Sequence, residues 1–177
     1  MAWSVGLSQK EMGRVAVSEI SITARDWKLN RPDLDTSAME VVGALKRASG
    51  LLARALEPLY ASSPVSEPEH TVLVVLRHRK GPVIARDVAE ELGVSQAWIS
   101  RMLRRLEERG YVHREINPND RRAATISMTD SGCAVVDEYF PERLRIESEA
   151  LSGLGDEQAL VVAGLERLIA SLKAFQG

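Results

Sequence analysis

The residues best suited to chemistry lie close together between Ser95 and Arg105, in the run S-Q-A-W-I-S-R-M-L-R-R. A guanidinium can donate two parallel hydrogen bonds to guanine, and a glutamine carboxamide can pair bidentately with adenine. Both need side chains aligned on one face of an element that fits the major groove. Ile99, Met102, Leu103 and Leu106 recur at helical spacing and predict a buried stripe. Gln96, Trp98, Ser100, Arg101, Arg104 and Arg105 then fall on the opposite face, and the hydroxyl of Ser95 is placed to cap the helix. A second cationic site follows. Arg121 and Arg122 stand at or just past Asn117-Pro118-Asn119-Asp120, a run of strong turn formers. An arginine at such a tip can enter a narrow, electronegative minor groove. Asp120 is placed to orient Arg122 through an ion pair.

The elements that would carry these residues can be read around them. Val88, Ala89 and Leu92 give a helix from about Ile84 to Leu92 one apolar face. Gly93 tolerates the left-handed conformation that ends it. The second helix ends at Gly110. Tyr111 to Ile116 and Ala123 to Met128 read as two strands of a hairpin whose tip carries the arginines. Helix, tight turn, helix and hairpin make a winged helix-turn-helix, whose commonest use is reading duplex DNA. Use of the same scaffold for protein contacts without DNA is the competing reading.

Further stretches flank this one. Ser8 to Asn30 has helical apolar spacing, and Arg31-Pro32-Asp33 stops it. A second helix starts at Asp35-Thr36-Ser37, with Ser37-x-x-Glu40 as a capping box, and carries Val41, Leu45, Leu52, Leu56 and Leu59 to about Tyr60. Ser66-x-x-Glu69 caps a third, from His70 to about Arg79. Thr129 caps a long helix towards Leu151, which Pro141 is expected to kink or break. Asp156 to Phe175 forms the last. The fold class expected is mainly α with a small β-hairpin wing. Residues 66–128 would form the DNA-binding part, with residues 1–65 and 129–177 as dimerisation helices. Long apolar stripes at both ends call for a second copy. A two-fold dimer would offer two recognition helices to a palindromic site.

The runs L-G-V-S-x-x-x-I-S-R-x-L-x-x-L-E-x-R-G-Y-V, N-P-N-D-R-R and T-I-S-M-T-D-S-G resemble the MarR family of bacterial transcription regulators, over roughly Thr36 to Phe175. The resemblance implies a homodimer with one winged helix per subunit. It also implies operator binding that a small ligand or oxidation weakens, so that the protein acts as a released repressor. The segment W-x-x-x-R-P-D-L-D from Trp27 to Asp35 is similar to one in a urate-responsive subgroup, where that tryptophan borders a ligand pocket. Carried over, Trp27 stacks on a flat aromatic or anionic effector and Arg31 supplies the counter-charge. The alternative is that Trp27 anchors a helix end in the core and Arg31, Asp33 and Asp35 serve as caps. This chain departs from the subgroup in the recognition helix, where Ser100-Arg101-Met102 replaces T-N-R, so the effector expected is a planar aromatic or acidic ligand and not urate. A redox-sensing branch of the family draws attention to Cys133. That branch places its cysteine near the N-terminus, whereas Cys133 follows the wing.

Composition narrows the remaining classes. A chain of 177 residues suffices for one domain with a real core. It has no apolar run of membrane-span length, and Met1 to Lys10 has no secretory pattern, so a cytoplasmic protein is expected. One cysteine excludes an internal disulfide framework. The net charge is −2, yet Glu67 to Arg122 carries 11 Lys/Arg against 9 Asp/Glu. His70, His78 and His113 make no metal pattern, and no cofactor is implied. There is no G-x-S-x-G, no phosphate-cradling glycine loop and no H-E-x-x-H, so enzymatic activity is not expected.

Overall fold

The computed structural model describes residues 23–81, 83–116 and 124–176. The chain divides into two compact units, Met1–Arg54 and Ala55–Gly177, with the division falling inside one helix.

In the first unit, residues 23–30 are helical (α1). The expected stop follows: Asn30 turns its carboxamide back to donate to the Asp26 carbonyl at 2.8 Å. The expected N-terminal part of this helix, residues 8–22, lies outside the described residues. Arg31 and Asp33 form a bidentate pair at 2.8 and 2.6 Å across the turn. Helix α2 is Ala38–Ala61. Its start is held by Asp35, whose carboxylate accepts from the Ser37 N–H at 2.9 Å.

The second unit holds the end of α2 and all that follows. Helix α3 is Glu67–Leu76, starting three residues earlier than expected because its capping box is part of the first turn. The Glu69 carboxylate accepts from the Ser66 N–H at 2.8 Å and from its hydroxyl at 2.9 Å. Strand β1 (Val83–Ile84) leads into α4 (Ala85–Leu92), and α5 is Gln96–Glu108. Strands β2 (Val112–Ile116) and β3 (Ala124–Met128) form the wing. The expected two-stranded hairpin is a three-stranded antiparallel sheet, in the order β1-β3-β2. Val83 pairs with Ile126, and Val112 with Met128. A two-residue strand is too short to show period-2 alternation, so β1 is visible only through its partner.

Helix α6 runs Asp130–Leu151 through Pro141, so of the expected kink or break the break does not occur. Val135, Val136, Tyr139 and Phe140 pack its first half against the core. Arg143–Glu147 at 2.7 Å and Arg145–Glu142 at 2.6 Å support the second half. These contacts outweigh one missing amide donor. A 3-10 turn (Ser152–Glu157) follows, in which Gly155 has φ 49°, and α7 is Gln158–Gln176.

The core of this unit sits under the helix-turn-helix. Val72, Leu73, Val88, Ile99, Leu103, Leu106 and Val112 are all but completely buried. Each large side chain among them contributes about 1.5–3 kcal/mol by leaving water. His70 lies in the same interior, its Nδ1 at 2.9 Å from the Tyr60 hydroxyl. Burial, with Arg143 adding to it, lowers its pKa from 6.5 to about 4. It is a packing histidine held neutral; His78 and His113 are exposed. On α7 the expected apolar stripe is largely open in the single chain, with Leu160 at 73% and Leu172 at 49% exposure. No described helix is long and apolar enough to cross a membrane.

Candidate nucleic-acid interface

The site is built from the turn outward. Helix α4 closes on Gly93 at φ 65°, ψ 30°, the left-handed value expected of it. Two residues on, the Ser95 hydroxyl accepts from the Trp98 N–H at 3.2 Å and starts α5. Ile99, Met102, Leu103 and Leu106 are buried at 0–8% exposure, which fixes the rotation of the helix. That rotation leaves Gln96, Ser100, Arg101, Arg104 and Arg105 exposed, as the spacing predicts. Trp98 differs from them: it is half-buried and packed against the core. Only part of its ring is left to touch a ligand.

The charges separate into two sets. Arginines that serve the fold are paired: Arg86 with Glu90 at 2.8 Å, Arg114 with Glu107 at 3.8 Å, and Arg79 with Glu91. These pairs engage Glu90, Glu91 and Glu107 on the two helices of the helix-turn-helix. Among the described residues Arg101, Arg104 and Arg105 have no carboxylate partner. Their guanidinium groups are therefore available to phosphates or base edges without first breaking an ion pair. A concavity of about 640 Å³ beside the turn is lined by Gly93, Val94, Ser95, Gln96 and also Lys173 of α7. No local pattern signals that lysine, because nearly eighty residues separate it from the turn.

The base of the wing is held by hydrogen bonds to its neighbours. Gly110 has φ 75° and lets the chain reverse out of α5. The Thr129 hydroxyl donates to the Gly110 carbonyl at 2.7 Å and accepts from the Gly132 N–H at 3.0 Å. Thr129 thus caps α6 as expected and also ties that helix to the start of β2. The wing-tip residues Asp120, Arg121 and Arg122 lie outside the described residues.

The effector candidates fall in the first unit. Trp27 is about half exposed at 49%, and the Arg31 N–H donates to its carbonyl at 2.8 Å. The Asp33 carboxylate holds the Arg31 guanidinium and raises its pKa. A concavity of about 710 Å³ nearby is lined by Ala24, Arg25, Lys28, Leu29, Leu34 and Glu40 among others, and not by Trp27 or Arg31. Cys133 is half-buried in the first turn of α6. No cluster of potential metal ligands occurs among the described residues.

Comparison with known proteins places this geometry. The sequence pattern of the MarR family matches residues 65–124, from two residues before α3 to the first residue of β3. The chain is 32% identical to the HTH-type transcriptional regulator PecS of Dickeya dadantii (strain 3937) over 142 residues, which span 79% of this chain and 86% of PecS. The chain belongs to the MarR family. Like other MarR proteins it is a DNA-binding transcriptional regulator and not an enzyme. Solved MarR-type structures agree with the fold. PcaV from Streptomyces coelicolor, in complex with its natural ligand, superposes with a TM-score of 0.65 at 25% identity, covering 78% of this chain and 97% of PcaV. The repressor CouR bound to a 23-mer DNA duplex gives 0.62 at 26% identity, covering 77% and 98%.

Proposed function

We propose that this MarR protein binds a palindromic operator as a homodimer, with α5 of each subunit in the major groove. The observation that carries the proposal is the pair of faces on α5. One is buried without exception, and the other offers Gln96, Ser100, Arg101, Arg104 and Arg105 with no carboxylate partner among the described residues. Ser95 and Gln96 stand at the N-terminal end of the helix, and Trp98 adds the exposed part of its ring. Arg121 and Arg122, between β2 and β3 in sequence, are assigned to the minor groove, with Asp120 orienting Arg122. In this reading residues 66–128 read DNA, and residues 1–65 and 129–177 pair the subunits. The exposed apolar faces of α2 and α7 support that pairing. The protein acts in the cytoplasm, where its operator is.

The test is a footprint on the DNA upstream of its own gene at stated salt, followed by mobility shifts on the protected fragment. Arg101→Ala and Arg104→Ala are each expected to cost about 1–3 kcal/mol and to relax base preference. Arg122→Ala is expected to weaken binding with little change in major-groove preference. If both α5 variants bind the fragment as tightly as the parent, α5 is not the reading helix.

Release is assigned to a small aromatic or anionic ligand that stacks on Trp27. PcaV, a relative at 25% identity, was solved with a ligand of its own. Arg31 serves as counter-charge, and an anion there must compete with Asp33. Such a ligand releases DNA only by binding the DNA-competent and relaxed states with different affinity. A coupling of about 1–3 kcal/mol lowers operator affinity roughly 5–150-fold. The check is a panel of aromatic acids and purines, scored by loss of the DNA shift and by Trp27 fluorescence quenching in protein with Trp3 and Trp98 replaced by Phe. Unchanged binding and release in Trp27→Ala would make that residue structural.

A further inference from the structure

The sequence singled out Glu69 as a cap and carried Arg109 only within the family run L-E-x-R-G-Y-V, yet the two meet across forty positions. Glu69, 8% exposed at its side chain, accepts from Arg109 Nη1 at 3.1 Å as well as from both Ser66 donors. The second Nη of Arg109 donates to the Pro64 carbonyl. Its guanidinium carbon lies 5.2 Å from the centre of the Tyr111 ring. Burial pushes the Glu69 carboxyl up, but the Ser66 donors and Arg109 together hold it below its ordinary range, so it remains charged. Arg109 is the C-cap of α5, the residue at which the recognition helix gives way to the wing.

The same turn of α3 is gripped from α6. Arg143, 16% exposed at its side chain, donates to the Thr71 hydroxyl at 2.8 Å and lies 3.5 Å from Glu67. The Thr71 hydroxyl in turn donates to Glu67 at 3.1 Å, and Glu147 holds Arg143 at 2.7 Å. The first turn of α3 thus has an arginine from α6 on Glu67 and Thr71, and an arginine from α5 on Glu69.

We propose that this turn is a two-sided clamp that sets the angle of the recognition helix relative to α6, with Glu69, Arg109 and Arg143 as positioning residues for operator binding. The leverage is geometric. A 13-residue helix is about 20 Å long. Pivoting it by about 5° at Arg109 moves its N-terminal end by roughly 1.7 Å. That exceeds the roughly 0.5 Å within which a binding constellation must be held. Non-specific attraction to phosphates does not depend on such alignment. The clamp therefore contributes to specificity more than to general affinity. The inference rests on α5 being the reading helix.

The experiment uses the full-length protein with Trp3 and Trp27 replaced by Phe, so that Trp98 on α5 is the one fluorophore. Glu69→Gln, Arg109→Met, Arg109→Lys, Arg143→Met and the double variant Glu69→Gln/Arg109→Met are compared at a temperature at which each is folded. Three quantities are read: Trp98 emission, affinity for the footprinted fragment, and affinity for random duplex of equal length. Expected are a shifted Trp98 emission in Glu69→Gln, Arg109→Met and Arg143→Met, and an operator affinity lowered at least about tenfold. Random-duplex affinity should change less than about threefold. The double variant should be no more than about threefold worse than the weaker single, and Arg109→Lys should recover part of the loss. Equal falls for operator and random DNA, multiplicative single effects, or unchanged Trp98 emission in Arg143→Met would each overturn the clamp. The Trp98 readout needs no DNA, so failure of the clamp is distinguishable from failure of α5 as reader.

Discussion

Gly132→Ala sets two effects of known size against each other. Gly132 is the third residue of α6, and a Cβ built there would lie 2.2 Å from the Tyr111 carbonyl oxygen and 3.4 Å from Met128 Cε. Close C···O contacts run at about 3.3 Å or more, so one backbone segment must move by about 1 Å. The carbonyl is not free to do so, because it accepts from the Thr129 N–H at 3.2 Å and β2 begins at the next residue. Overpacking of this kind costs about 1–3 kcal/mol, and backbone resists more than a flexible side chain would. Against it stands the gain in helix propensity of alanine over glycine, about 1 kcal/mol at most in a first turn. The clash wins, with a net loss of about 2 kcal/mol. Denaturant titration of parent and variant at one protein concentration measures it, and operator affinity should fall because the junction of α5 and the wing is displaced. A variant as stable as the parent, or more so, would refute the reasoning, since propensity would then have decided the outcome.

Other outcomes follow from the same contacts. His70 is neutral in both states above pH 6.5, and as pH falls the unfolded chain takes the proton first. Stability should therefore be lost between pH 6.5 and about 4, with no further loss from this group below that. At about 1.4 kcal/mol per tenfold change in proton affinity the full effect is about 3 kcal/mol. Unfolding titrations of parent and His70→Phe across that window should diverge; parallel curves would remove His70 as the cause. Ser95→Ala removes the hydroxyl that accepts from the Trp98 N–H and should cost about 1 kcal/mol, read by thermal unfolding, with operator affinity falling as the first turn of α5 frays. Leu165→Glu with Leu172→Glu puts charge on the exposed apolar face of α7, where these residues are 42% and 49% exposed. Sedimentation should then show a weakened dimer with helicity retained, and an unchanged dimer would move the interface elsewhere.

The helix-turn-helix could be read from the sequence because its signals are local. Gly93, Ser95 and the stripe Ile99–Leu106 lie within one or two turns of what they determine, and each occupies the expected conformation or burial. What escaped depends on distant partners. Strand β1 exists through pairing with Thr125 and Ile126. Helix α6 survives Pro141 through contacts with the core and its own ion pairs. Arg109 looks like one more charge on a solvated helix end until Glu69 and Pro64 come beside it. Local pattern placed Trp98 on the reading face, but it is half-buried, because a large ring at the edge of a stripe folds onto whatever apolar surface lies beside it.

The pairing of Val83 with Ile126 also bears on how the unit folds. It brings together two points about forty residues apart, and the whole helix-turn-helix lies inside the loop so closed. Closing a loop of that length loses chain entropy before the pairing returns anything. The α4–turn–α5 segment, rich in local contacts, can form on the fast timescale of helices, while the sheet must wait for β3 to emerge and find β1. During synthesis a chain ended before Ile126 would carry formed helices over an unfinished base. The reading head therefore becomes a single cooperative body late, when its most distant strand closes the loop.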